Sequence, residues 1–229
     1  MKKFLFFLIL VLGLQQAVFA ETVVISTSES AKIQRHVSEV GFRILNANEI
    51  PKRVVFFYDP KGIVNAAASV RSREIYIYRN LYAMLDDDDM LAAVLGHEIS
   101  HGVDSYHGIF RGLGNLVAYV HSPKKYEYKA DKRAVDYMVK AGYHPVAMIV
   151  MMNKSFGQYR YDWNSSHPLT SRRMMEIYEY IYKKYPEYLV NNKYLANPYY
   201  QNFLITSKEN RAKFENKIET GSTKRVHYL

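Results

Sequence analysis

Apolar residues change their spacing several times along the chain, and each change marks a predicted element. Over 30–46, Ile33, Val37, Val40, Ile44 and Leu45 recur at helical intervals, which predicts an amphipathic helix. After Pro51, the run Val54-Val55-Phe56-Phe57-Tyr58 reads as a strand closed by the turn signal Asp59-Pro60-Lys61-Gly62. A second strand is predicted over 74–78, where Ile75 and Ile77 alternate with Tyr76 and Tyr78. Asp86 to Asp89 then open a helix, because aspartates cap free backbone N–H groups and meet the positive end of the helix dipole. That helix runs through Met90-Leu91-Ala92-Ala93-Val94-Leu95 to His101. A loop with Gly108, Gly112 and Gly114 follows, and the next helix is predicted over 124–141, stopped by Gly142 with Pro145 beyond. A short helix is predicted over 148–152, a loop over 164–168, and a helix over 170–184 ended by Pro186. The remainder, 187–229, is rich in Tyr and Asn and then charged, and it carries no assigned element.

The first residues follow another pattern. Lys2 and Lys3 precede an apolar run over 4–14, and Val18-Phe19-Ala20 places small residues where a signal peptidase reads them. The run is short for a membrane span of about 20 residues. We therefore expect a cleavable signal peptide over 1–20 and export to the periplasm, with a retained membrane anchor as the alternative. Cleavage removes only Lys2 and Lys3, so the formal charge falls from +9 to +7. No single Lys/Arg block dominates, which argues for a solvated basic surface rather than a nucleic-acid partner; a peripheral membrane contact is compatible with that surface. The absence of cysteine excludes disulfides and a thiolate zinc site. The 229 residues, 23% of them charged, suit one globular domain and argue against general disorder.

The chemistry concentrates in His97-Glu98-Ile99-Ser100-His101. Residues four apart share a helix face, so both imidazoles reach one metal ion, while Glu98 sits beside them as a general base. Zinc held by three protein ligands keeps one position open and lowers the pKa of its water to about 7. Ala92, Ala93 and Gly96 would let a partner helix approach closely. Two residues compete as third ligand. His107 lies six residues after His101, but Asp104 stands where the chain needs a sharp, glycine-type turn back to the metal. Glu127 lies four residues before Asp131 on one face of the next helix, and Asp131 can hold a ligating histidine through its other ring nitrogen. The second arrangement is the stronger. His167, in the loop before a helix bearing Arg172 and Arg173, is a candidate oxyanion donor.

These residues resemble the HtpX-type zinc metallopeptidases, which include CAAX prenyl-protein proteases and bacterial periplasmic proteases. The resemblance rests on the stretch from Leu91 to His101, on Glu127 and Asp131 followed by Ala141-Gly142-Tyr143-His144-Pro145, and on Ser166-His167-Pro168 with Arg173. Asn65-Ala66-Ala67-Ala68 is similar to the family's substrate-cleft edge. The resemblance implies a predominantly helical α+β zincin (gluzincin) domain with a small β-sheet and one Zn2+ per chain on His97, His101 and Glu127. It also implies Glu98 as general base, Asp131 behind the ligands, and His167 and Arg173 near the oxyanion or supporting the site. Family members usually carry a Gly-Gly hairpin after the Asn-Ala segment; this chain reads Ser69-Val70-Arg71-Ser72-Arg73, so its cleft edge differs and acidic substrates become candidates.

The organisation expected is a signal peptide over 1–20, a metallopeptidase domain over 21–185 and a Tyr-rich C-terminal extension over 186–229. The expected function is a secreted endopeptidase that clears unfolded or misassembled envelope proteins. The alternatives are a zinc-containing chaperone-like or binding protein with little turnover, and a membrane-anchored protease.

Overall fold

The computed structural model describes residues 28–51, 53–69, 73–106, 123–156 and 170–228. The signal-peptide stretch, His107 and His167 lie outside the described residues. Helix α1 (28–47) sends Val37, Val40, Ile44 and Leu45 into the core, as its spacing requires. Gly41 shares that face because the Phe56 ring fills its side: a Cβ there would meet the ring at 2.6 Å.

Three short strands follow: β1 (Val55–Asp59), β2 (Ala66–Ser69) and β3 (Glu74–Tyr78). Their spatial order is β1-β3-β2, with β1 parallel and β2 antiparallel to β3. Phe56, Ile75 and Ile77 point into the core, while Phe57 and Tyr76 stack on the other face with ring centroids 5.3 Å apart. Strand β2 has little strand propensity of its own; three alanines become a strand because β3 supplies the pairing partner. The hairpin entering β3 keeps a left-handed residue without glycine: Arg73 has φ 59°, a conformation costing a side-chain-bearing residue about 1–2 kcal/mol. The outer edge of β1 is closed by Gln34 of α1. Its amide donates to the Phe56 carbonyl at 2.7 Å and accepts from the Tyr58 N–H at 2.7 Å, as a neighbouring strand's peptide group would.

Helix α2 (Arg79–Tyr82) leads to α3 (Asp88–Tyr106), the central helix. Asp87 Oδ1 accepts the Met90 N–H at 2.9 Å, so the acid run caps the helix as its composition implies. Met90 to Leu95 are buried all round. Helix α4 (Pro123–Lys140) packs along α3, and a Cβ on Gly96 would lie 3.4 Å from Ala134 Cβ. Gly142, with φ 77°, ends α4 in the left-handed turn its position suggested. Helices α5 (Ala147–Ser155) and α6 (Thr170–Lys184) complete the layer behind α3 and α4. The C-terminal region forms α7 (Glu187–Val190), α8 (Pro198–Thr206) and α9 (Lys208–Glu219). Its Tyr194, Tyr200, Phe203, Phe214 and Tyr228 join the same apolar core as α3 and α5. The result is a predominantly helical α+β zincin-like domain with one small mixed sheet. No described helix is long and apolar enough to cross a membrane.

Candidate active site

The close approach at Gly96 and Ala134 brings the second half of α3 against the first turns of α4. His97 and His101 are one turn apart on α3, and their Nε2 atoms lie 3.0 Å from each other. Glu127 reaches them from α4: Oε1 is 3.1 Å from His101 Nε2 and Oε2 is 3.5 Å from His97 Nε2. A tetrahedral zinc ion with ligand bonds of about 2.0–2.2 Å sets its ligand atoms about 3.3 Å apart, close to these three separations. All the donor atoms are nitrogen or carboxylate oxygen, the chemistry zinc takes in the absence of cysteine. The three residues therefore fit a zinc ion.

Behind the ligands lies a second ring of charge. Asp131 Oδ1 is 2.9 Å from His97 Nδ1. With its proton on Nδ1, beside the Asp131 carboxylate, His97 would leave its Nε2 lone pair for a metal. Arg173 of α6 then grips Asp131 with a two-point fork, Nε to Oδ2 at 2.8 Å and Nη2 to Oδ1 at 2.6 Å. Its Nη1 also lies 3.2 Å from Glu127 Oε2. Both carboxylates are almost fully buried, Glu127 at 5% and Asp131 at 1% exposure, so without this guanidinium their charge would be strongly disfavoured.

The titration behaviour follows the same geometry. Burial by itself would lower the His97 imidazole, yet the Asp131 and Glu127 carboxylates outweigh it and push it up to about 10. Burial would raise Asp131, but Arg173 and His97 hold its carboxyl below the usual range. Arg173 is itself held more basic than usual, against burial, by Asp131, Glu127 and Glu98. The pocket thus favours positive charge between the imidazoles and the carboxylates, which a divalent cation supplies as well as a proton.

Glu98 follows His97 on α3, half-buried, and its charge is felt by Arg173. The structure therefore brings together His97, His101, Glu127, Asp131 and Arg173, with Glu98 alongside. Arg173 is occupied behind the ligands by Asp131 and Glu127, so its place is that of a support.

Several supports carry no sequence signal. Lys132 of α4 bonds Glu176 of α6 at 2.7 Å, and Arg225 from the C-terminal segment reaches the same carboxylate at 2.8 Å. Arg133 donates to the Ser100 carbonyl at 3.2 Å, tying α4 to the turn that carries His101. Each contact joins residues far apart in sequence through long side chains, which periodicity does not register.

No curated protein matches the chain. The profile of Peptidase family M48 matches residues 27–120 and 107–181. These segments include the helix bearing His97 and His101, the helix bearing Glu127 and Asp131, and Arg173. The chain belongs to Peptidase family M48, the HtpX- and CAAX-protease-like zinc metallopeptidases.

Proposed function

We propose that this chain is an exported zinc endopeptidase that cuts unfolded or misassembled proteins in the periplasm, with Glu98 as its general base. The observation that carries the reading is the convergence of His97, His101 and Glu127, whose ligand atoms all lie within 4.8 Å of one another, beside Glu98 on the same helix. In this reading His97, His101 and Glu127 hold the zinc ion. When bound, zinc supplies a Lewis acid that polarises a carbonyl and makes water acidic enough to attack near neutral pH. Glu98 takes the proton from the attacking water and passes it to the leaving amine. Asp131 fixes the His97 ring, and Arg173 fixes Asp131 and Glu127. His167, six residues before Arg173 in the chain, is the proposed donor to the oxyanion. Strand β2 is the last strand of the sheet among the described residues, and in this reading an extended substrate adds to it by main-chain pairing.

Export rests on the Lys2-Lys3 start, the apolar run over 4–14 and the small residues at 18 and 20. N-terminal sequencing of the exported protein should begin at Glu21; a protein that retained Met1 would be membrane-anchored instead.

The test of the chemistry is cleavage of casein by residues 21–229 and by Glu98→Gln. The substitution keeps shape and removes the base, so zinc should stay while the rate falls by about 10²–10⁴. Equal rates in the two proteins, or zinc retained in both with no cleavage, would overturn the assignment.

A further inference from the structure

The small sheet has two edges, and they are treated differently. The β1 edge is filled by the Gln34 amide, itself held by Ser38 Oγ at 3.0 Å. Among the described residues, no strand pairs with the outer edge of β2. The Tyr78 N–H donates to the Asn65 carbonyl at 3.2 Å, so residues 65, 67 and 69 turn their backbone groups towards β3. The backbone groups of Ala66 and Ala68 consequently face outward, and Asn65 Oδ1 accepts the Ala66 N–H at 2.9 Å. In an antiparallel chain added at this edge, the residue opposite Ala67 forms the pair without mutual hydrogen bonds. In such pairs the side chains come closest, with Cα atoms about 4.5 Å apart.

The cross-strand row through Ala67 is lopsided. Phe57, Tyr76 and Ala67 stand side by side on the outer face of β1, β3 and β2. The first two are partly exposed, stacked rings; the row then drops to a single methyl group at the edge. Tyr76 is fixed by its hydroxyl, which donates to Glu74 Oε2 at 3.0 Å. The row thus ends in a shallow step at the sheet edge, bounded on its inner side by the stacked Tyr76 and Phe57 rings.

We propose that this step is a specificity site: the substrate residue opposite Ala67 carries a large apolar or aromatic side chain, which covers Ala67 and packs towards the Tyr76 and Phe57 rings. The substrate class is an extended polypeptide with an exposed bulky residue, a feature of unfolded chains. The inference rests on the peptidase reading and on addition of substrate to β2, and it adds which residue of the sheet selects which side chain.

The test uses short peptides of one sequence in which Phe replaces Ala at one position at a time. Cleavage is measured for the wild type, Ala67→Phe and Tyr76→Ala, each checked for folding by its melting curve. At one position the wild type should prefer Phe over Ala by about tenfold in kcat/KM, the scale on which an apolar pocket discriminates. That ratio should fall towards one in Ala67→Phe, which fills the step, and in Tyr76→Ala, which removes the wall. A wild type without such a position, or a ratio unchanged in both folded variants, would overturn the specificity site while leaving the peptidase intact. A wild type that cut none of the peptides and no casein would overturn the peptidase reading, and the specificity site with it.

Discussion

Acids gather near both ends of α3, and among the described residues only those at the far end join histidines in a cluster that could hold a metal. At the start, Asp87 and Asp89 share the Tyr194 hydroxyl at 2.6 and 3.0 Å, and Lys193 pairs with Asp89. Asp89 also accepts the His144 N–H at 3.0 Å, Lys154 meets Asp86 at 2.6 Å, and His36 meets Asp88 at 2.9 Å. These acids cap a helix and anchor the C-terminal segment. Near the other end, the Arg173 guanidinium pairs with Glu127 and Asp131 and feels the charge of Glu98. Two imidazole nitrogens and a Glu127 carboxylate oxygen converge on the same space. A count of acids therefore says little. Convergent ligand atoms on facing helices are what distinguish the far end.

The sharpest way to break this contrast is Arg173→Met. Removing the guanidinium that pairs with buried Asp131 and Glu127 should cost about 3–5 kcal/mol of folding stability. Saturating zinc should restore part of that loss, since it binds the folded state and supplies positive charge. Denaturant unfolding with zinc and with a chelator measures both effects. A loss below about 1 kcal/mol, the range of an exposed pair, would mean that the two ends do not differ as described.

A smaller effect is expected at the start of α3. Tyr194→Phe removes one hydroxyl shared by two carboxylates and should cost about 2 kcal/mol, the scale of hydrogen bonds to charged groups. It should leave zinc affinity unchanged. A joint fall in stability and zinc binding would show that the clasp and the metal end act as one unit.

The smallest expected effect is in pH dependence. His144 touches the Asn191 carbonyl at 3.3 Å and packs against the Tyr188 and Tyr194 rings, with Asp87, Asp89 and Lys193 nearby. Burial, its largest influence, holds the imidazole below its ordinary value of 6.5. The unfolded chain therefore takes up a proton before the folded one does. The stability linked to His144 is complete above 6.5 and is lost as pH falls through the folded value. An NMR titration of the ring should give a midpoint below 6.5; a midpoint at or above it would contradict burial as the dominant influence.

Much of the metal end was legible because its signals are local. His97 and His101 are four apart on a strongly apolar helix, and Glu127 and Asp131 are four apart on the next. The fork of Arg173 onto Asp131 spans 42 residues, and nothing in the sequence separates that role from a place beside the oxyanion. Strand β2 escapes periodicity because alanine marks neither face. The left-handed Arg73 hides a turn that glycine would have announced. The C-terminal helices lie within a Tyr- and Asn-rich pattern that blurs helical spacing. One start signal is nevertheless present: Asn197 caps α8, accepting the Tyr199 N–H at 2.9 Å, and Pro198 takes the first helical position.

The most direct measurement is zinc binding by the mature protein and by Glu127→Gln, through metal analysis after dialysis and a competitive titration. Wild type should hold one zinc ion per chain. Glu127→Gln should lose affinity by more than the about 10–100-fold typical of disturbing a residue behind the ligands. A wild type that held no zinc, or a Glu127→Gln protein that held it as tightly, would contradict the site described for the far end of α3.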